Sequence, residues 1–177
     1  MHTSFVRLTT KLKEMKASGR RSPLTISLPK AAWGVFGGFA VIFLLSMLTE
    51  KSDFVWIMAP FGATCVLVFG IWDSPLSQPR SVIGGHLIST GIGLLLYHLF
   101  GQGSLVMAAG VGLAIGLMMV TKTTHPPAGA DPLVVIMAGS TWSFLINPVL
   151  LGTIVIVGMA LVINNLDKSK KYPTFWR

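Results

Sequence analysis

Five apolar stretches of spanning length divide this chain, over residues 31–49, 54–72, 82–100, 104–121 and 144–164. Each holds about 18–21 residues, and about 20 apolar residues in a helix cross the hydrocarbon core of a bilayer. A shorter stretch, 128–139, follows a polar insert. In lipid a backbone must satisfy its own N–H and C=O groups, which a continuous apolar stretch does as a helix. The fold class expected is an all-α polytopic membrane protein of about six transmembrane segments. Hydrophobic residues make up 52% of the chain and charged ones 11%, so a soluble domain with a charged shell is excluded. A length of 177 residues predicts one transmembrane domain over 31–165, with no appended soluble domain.

The net charge of +8 invites a nucleic-acid reading, but its placement argues against one. Arg7, Lys11, Lys13, Lys16, Arg20, Arg21 and Lys30 form a basic N-terminal segment, 1–30; Lys168, Lys170, Lys171 and Arg177 form a basic tail, 166–177. Neither is interleaved with the aromatics of a base-stacking surface. The positive-inside rule accounts for both if both termini are cytoplasmic, which needs an even number of crossings. With six, Arg80 and Lys122 also fall inside and only Lys51 lies outside; four crossings are even too. Residues Ser4–Lys16 carry Phe5, Leu8, Leu12 and Met15 at helical spacing, as an amphipathic surface helix would or a basic tail that only sets orientation. No secretory signal follows. Cys65 is the single cysteine, so no intrachain disulfide forms.

Between Val120 and Asp131 the chain reads Val-Thr-Lys-Thr-Thr-His-Pro-Pro-Ala-Gly-Ala-Asp. Irregular backbone at membrane depth survives only where protein buries it or where it lines a cavity, so this insert is the first place to seek a binding site. Pro60-Phe-Gly62-Ala63-Thr64 echoes Pro127-Ala-Gly129-Ala130-Asp131, and Gln78-Pro79 echoes Asn147-Pro148. Two units, 31–100 and 104–165, then form a 3+3 inverted repeat of the kind that binds substrate at broken helices. Half-helices starting near Pro60 and Pro127 turn their N-termini, opened by Gly62-Ala63 and Gly129-Ala130, toward a common point. Free N–H groups and the positive dipole end favour an anion there, by about 0.3–2 kcal/mol per terminus. The structural alternative is that the prolines only kink helices and the glycines permit close packing.

The substrate-binding candidates are therefore His125, Pro127, Gly129, Ala130, Gly62, Ala63, Thr64, Lys122 and Thr124. His125, His86 and Asp131 are the proton-coupling candidates, since an ionisable group inside a span marks a pathway. Each also has a plain structural role open to it: His125 as a helix cap, His86 bonded to a facing helix, Asp131 in the first turn of a half-helix. Arg80 snorkels toward headgroups and gates or orients. His98 beside Tyr97 is interfacial, His2 lies in the tail, and Glu50, Lys51 and Asp53 form an external loop. The four histidines lack metal-ligand spacing. No P-loop or G-x-S-x-G is present, and Gly91-Ile-Gly93 lies inside an apolar span, not after a strand. No enzyme, metal or cofactor is expected. Gly34/Gly38 and Gly112/Gly116 offer small-residue faces for a homo-oligomer.

Three motifs in order, Pro60-Phe-Gly62-Ala63-Thr64, Ser74-Pro75-Leu76-Ser77-Gln78-Pro79-Arg80-Ser81-Val82-Ile83-Gly84-Gly85-His86 and Thr124-His125-Pro126-Pro127-Ala128-Gly129-Ala130, resemble the HPP integral membrane protein family over about residues 30–165. The resemblance implies a small multi-span membrane protein, and some plastid and cyanobacterial members are described as nitrite transporters. Ser81 stands where the family often has Asn, and Asp131 follows the Ala-Gly-Ala run. What the resemblance and the residues together imply is a nitrite-class anion transporter, proton-coupled, in a bacterial inner membrane. The alternatives are a small-anion or small-solute channel and a non-transporting structural or sensory membrane module.

Overall fold

The structure, a computed structural model, describes residues 10, 11, 14 and 27–176. Apart from residues 10, 11 and 14, the helix expected over 4–16 falls outside the described residues, as does most of the basic segment 1–30. Among those described there are six α-helices: α1 (Leu28–Lys51), α2 (Ala59–Gly70), α3 (Pro79–Phe100), α4 (Ser104–Val120), α5 (Asp131–Ala138) and α6 (Leu151–Leu166). 3-10 turns occupy Pro75–Ser77 and Pro126–Ala130, and a π turn over Leu145–Leu150 leads into α6. Three helical runs are long and apolar enough to cross a membrane: Leu28–Lys51, Pro79–Phe100 and Leu145–Leu166. The all-helical, polytopic expectation holds. The expected spans differ in length, however: α4 has 17 residues, α2 has 12 and α5 only 8.

Side-chain contacts fix the direction of each element. Phe69, near the end of α2, packs on Gly37, near the start of α1. The backbone N–H of Trp56, just before α2, donates to Thr49 Oγ1 near the end of α1 (2.9 Å). Those helices are antiparallel. In α6, Gly152 packs on Phe61 and Asn164 Nδ2 donates to the Val68 carbonyl (3.1 Å), so α6 runs with α2. Arg80 donates to the Thr121 carbonyl (2.9 Å), joining the start of α3 to the end of α4. Gln102 Nε2, just after α3, donates to the carbonyls of Ile136 (3.0 Å) and Met137 (3.1 Å) at the end of α5. Successive elements thus alternate between two ends of the bundle. Lys30, Arg80, Lys122 and Lys170 gather at one end, and Lys51 closes α1 at the other.

The two short helices have separate causes. Proline sits in the first turn of α2, where its missing N–H is no loss, and the chain ahead of it from Val55 to Met58 is not helical. The second differs from the expected half-helix at Pro127. Pro126–Ala130 is a 3-10 turn, and α-helix begins only at Asp131. The reason is Pro132, which cannot donate to the Ala128 carbonyl and whose ring would clash with it in a continuous helix. The Asp131 N–H takes that carbonyl in 3-10 fashion, and Ser89 Oγ of α3 donates to it as well (2.6 Å). Asn147, before Pro148, leaves helical geometry (φ −128°, ψ 119°), as the residue preceding a proline tends to.

Close packing rests on glycine. A Cβ on Gly93 would stand 2.7 Å from Pro132 Cα, and one on Gly110 would stand 3.1 Å from Pro132 Cβ, so α3 and α4 close on α5 from two sides. Gly139 ends α5 in the left-handed region (φ 63°), a conformation suited to glycine. By contrast Gly34, Gly38, Gly112 and Gly116 meet nothing within 4 Å; Gly112 and Gly116 are exposed, and Gly34 and Gly38 line a cleft of about 310 Å³ with Gly62 and Cys65 of α2. The apolar core joins Val41 and Leu45 of α1, Phe61 and Val68 of α2, and Ile156 and Ala160 of α6.

Candidate functional site

Four side chains from four segments form one buried polar chain. Asp131 Oδ2 lies 2.7 Å from His86 Nδ1. His86 Nε2 lies 2.9 Å from Thr64 Oγ1, and the same oxygen lies 3.0 Å from His125 Nε2. His125 Nδ1 donates to the Leu76 carbonyl (2.7 Å). Thr90 Oγ1 donates to Asp131 Oδ2 (3.1 Å). Thr64, His86, Thr90, His125 and Asp131 all have zero exposure. The His86 ring stacks edge-on to Phe61 (5.4 Å) and to His125 (5.0 Å), so aromatic and imidazole faces close the space around it. Desolvating ionisable groups costs several kcal/mol each unless they are paired. Here every titratable group is paired, and Asp131 Oδ1 is left with no hydrogen-bond partner.

Local sequence explains why these groups meet. Gly85 lets the segment 123–125 lie flat on α3: a Cβ there would stand 2.7 Å from His125 Cβ and 2.9 Å from the Thr123 carbonyl. His125 then falls beside the next residue, His86. The 3-10 turn carries the chain up α3 to place Asp131 between His86 and Thr90. On the far side, the 3-10 turn Pro75–Ser77, started by the Ser74 hydroxyl accepting from the Leu76 N–H (3.2 Å), presents the Leu76 carbonyl to His125.

The predicted site residues separate into three groups. Thr64, His86, His125 and Asp131 come together in the buried chain. Pro127, Ala63 and Ala130 line an apolar groove of about 620 Å³ between α2 and the second 3-10 turn, with Pro60 and Pro126; Gly62 lies instead in a cleft between α1 and α2 with Gly34 and Gly38, and Gly129 is half-buried. The two proline-led starts do face one space, but carbon lines it. Arg80 and Lys122 belong to a third place, a vestibule of about 320 Å³ at the basic end, with Pro75, Gln78, Ser81 and Trp176. Lys122 holds the left-handed region (φ 57°), uncommon for a residue with a Cβ. Thr124 is half-buried between the two, and His98 Nδ1 donates to the Leu94 carbonyl (2.8 Å).

Sequence reasoning passed over several participants. Ser89 and Thr90 read as ordinary polar residues within an apolar span, although a polar face at i, i+3 and i+4 from His86 was a usable signal. The Leu76 carbonyl had none. The tail beyond α6 is docked: Tyr172 is buried and donates its hydroxyl to the Ser77 carbonyl (2.9 Å). Gln78 Oε1 accepts from the Thr174 N–H (2.9 Å), while its Nε2 donates to the carbonyls of Trp72 and Ser74 (both 2.9 Å). Burial pushes the Tyr172 phenol above its ordinary range, so it stays a donor.

Two transmembrane proteins of Dictyostelium discoideum are similar to this chain. One is 34% identical over 170 residues, covering 89% of this chain and 55% of the relative. The other is 30% identical over 169 residues, covering 89% and 59%. The chain thus spans little more than half the length of these relatives. No solved structure matches it. A model of the HPP transmembrane region matches residues 23–173, a range that contains the whole buried chain, the groove, and Arg80 and Lys122 of the vestibule. With its apolar helices and this match along most of its length, the chain is an integral membrane protein and belongs to the HPP transmembrane family.

Proposed function

We propose that this protein transports a small inorganic anion of the nitrite class across the membrane together with a proton. The observation that carries the reading is the fully buried chain Asp131–His86–Thr64–His125, which ends on the Leu76 carbonyl beside a vestibule holding Arg80 and Lys122. Ionisable groups inside a membrane protein are costly and mark ion or proton pathways. Two cations at the mouth raise the local concentration of an anion. A neutral histidine can take up a proton at its free ring nitrogen and return it. One proton moving with one anion makes the cycle electroneutral, avoiding a field of about 2.3 kcal/mol per charge per 100 mV.

Anion recognition on this reading comes from the vestibule and the histidines, not from the groove at Ala63, Pro127 and Ala130, which offers a desolvated anion no charged partner. The protein is a carrier, not an enzyme. It sits in a bacterial inner membrane with the Arg80–Lys122 end cytoplasmic, in accord with the positive-inside rule. The exposed Gly112/Gly116 face and the cleft at Gly34/Gly38 suit contact between copies.

The test is nitrite uptake into proteoliposomes of purified protein, with nitrate, formate and chloride as competitors. Wild type takes up nitrite saturably and faster under an inward proton gradient, and His125→Ala does not. Folded, inserted protein that moves none of these anions would end the carrier reading and leave a structural membrane module.

A further inference from the structure

Counting hydrogens along the buried chain assigns a role to Thr64. Four contacts of 2.7–3.0 Å join Asp131, His86, Thr64, His125 and the Leu76 carbonyl, and each needs one hydrogen between its two polar atoms. A carbonyl only accepts, so His125 carries its hydrogen on Nδ1 and, when neutral, presents a lone pair at Nε2. Thr64 must then give its only hydrogen to His125. Its oxygen accepts from His86, which therefore carries a hydrogen on Nε2. A further hydrogen lies between His86 Nδ1 and Asp131 Oδ2. The four hydrogens are one each from a neutral carboxyl, two neutral imidazoles and a hydroxyl, so the chain is net neutral. The three bonds from His86 Nε2 onward all point toward Leu76.

Gain and loss of a proton are not equivalent. A proton added at His125 Nε2 makes that nitrogen a donor, and the Thr64 hydroxyl is freed to turn to the Pro60 carbonyl, 3.2 Å away. Thr64 Oγ1 then accepts from both imidazoles, and no group is left unpaired. A proton lost from the Asp131–His86 pair leaves His86 Nε2 without hydrogen. Thr64 would face two acceptors with one hydrogen, stranding a buried nitrogen. No other ionisable side chain is bonded to the four among the described residues: Cys65 beside Thr64 has no bonded partner, Arg80 is committed to the Thr121 carbonyl, and α4 and α6 carry no charged residue.

We infer that Thr64 is a two-position hydroxyl switch, with His125 as the proton-receiving end of the chain and Pro60 as the alternative acceptor. It positions protons rather than binding substrate. The inference rests on the proton-coupled reading for its use, but its test does not need transport. In protein labelled with ¹⁵N-histidine and held in lipid nanodiscs, NMR at neutral pH finds His125 protonated on Nδ1 and His86 on Nε2. Acidification adds the new hydrogen to His125 Nε2 first. Thr64→Ser keeps this pattern, whereas Thr64→Val uncouples the two rings, so that His86 no longer responds when His125 titrates. A wild type with His125 protonated on Nε2 at neutral pH, or with His86 gaining the first proton, overturns the switch whether or not anions are transported. The expected tautomers in a protein that moves no anion would uphold it and refute the carrier reading alone.

Discussion

Ser89 Oγ of α3 donates a 2.6 Å hydrogen bond to the Ala128 carbonyl, the acceptor that Pro132 denies to the α-helix. A side chain from a neighbouring helix thus satisfies a backbone group at a proline break, which is how broken helices persist inside membranes. Ser89→Ala removes that bond but leaves the carbonyl its contact from the Asp131 N–H. The expected loss is therefore about 1 kcal/mol, that of a single net hydrogen bond, read from thermal unfolding in detergent.

Gly85 and Gly112 make a paired test of packing. A Cβ at Gly85 meets His125 and the Thr123 backbone, whereas one at Gly112 meets nothing within 4 Å. Gly85→Ala should cost about 1–3 kcal/mol, the range for forced overpacking, and Gly112→Ala should leave the protomer's stability unchanged or higher. Unfolding midpoints of both variants decide it; equal midpoints would mean that segment 123–125 does not lie on α3.

Asp131→Asn keeps a polar group beside His86 and Thr90 but cannot share a titrating proton. The variant should fold, retain anion exchange at equal pH on both sides, and lose acceleration by an inward proton gradient. Counterflow and gradient-driven uptake, compared in the same vesicles, check this. Undiminished gradient response would take Asp131 out of the coupling path.

Removing the Gln78 side chain should undock the tail, because Gln78→Ala deletes the bond from Thr174 and two bonds that shape the 71–78 loop. Faster tryptic cleavage at Lys170 and Lys171, with the membrane part intact, is the expected result.

Alkali should undock the same tail. The Tyr172 phenol is raised by burial, so its contribution is fully present below the ordinary tyrosine value of about 10 and fades as the pH climbs above it. Tyr172→Phe should abolish that pH dependence of cleavage while costing about 1 kcal/mol for the lost bond to Ser77.

Much of the fold was legible as hydropathy. The helices fall where apolar stretches were read, because in lipid each stretch must close its own backbone bonds and so announces itself locally. Pro60 predicted the short α2 correctly, since a proline's demand at a first turn is also local. A short helical run does start near Pro127, but Pro132, five residues on, makes its first turns 3-10 and delays the α-helix to Asp131. The insert's chemistry was visible as residue types, and its His125 and Asp131 gather in one chain with Thr64 and His86, while Ala63 and Ala130, read as anion ligands, line an apolar groove.

The sequence by itself determined the class of the protein, its element positions and the scarcity of polar groups that makes His86, His125 and Asp131 conspicuous. Only the tertiary structure decided which of them bond, that Thr64 stands between two imidazoles, and that the Leu76 carbonyl ends the line. Hydropathy and proline act within a few residues of chain. Hydrogen bonds between residues 64, 86, 125 and 131 depend instead on the register of four packed segments, set by glycines such as Gly85 that carry no chemistry of their own.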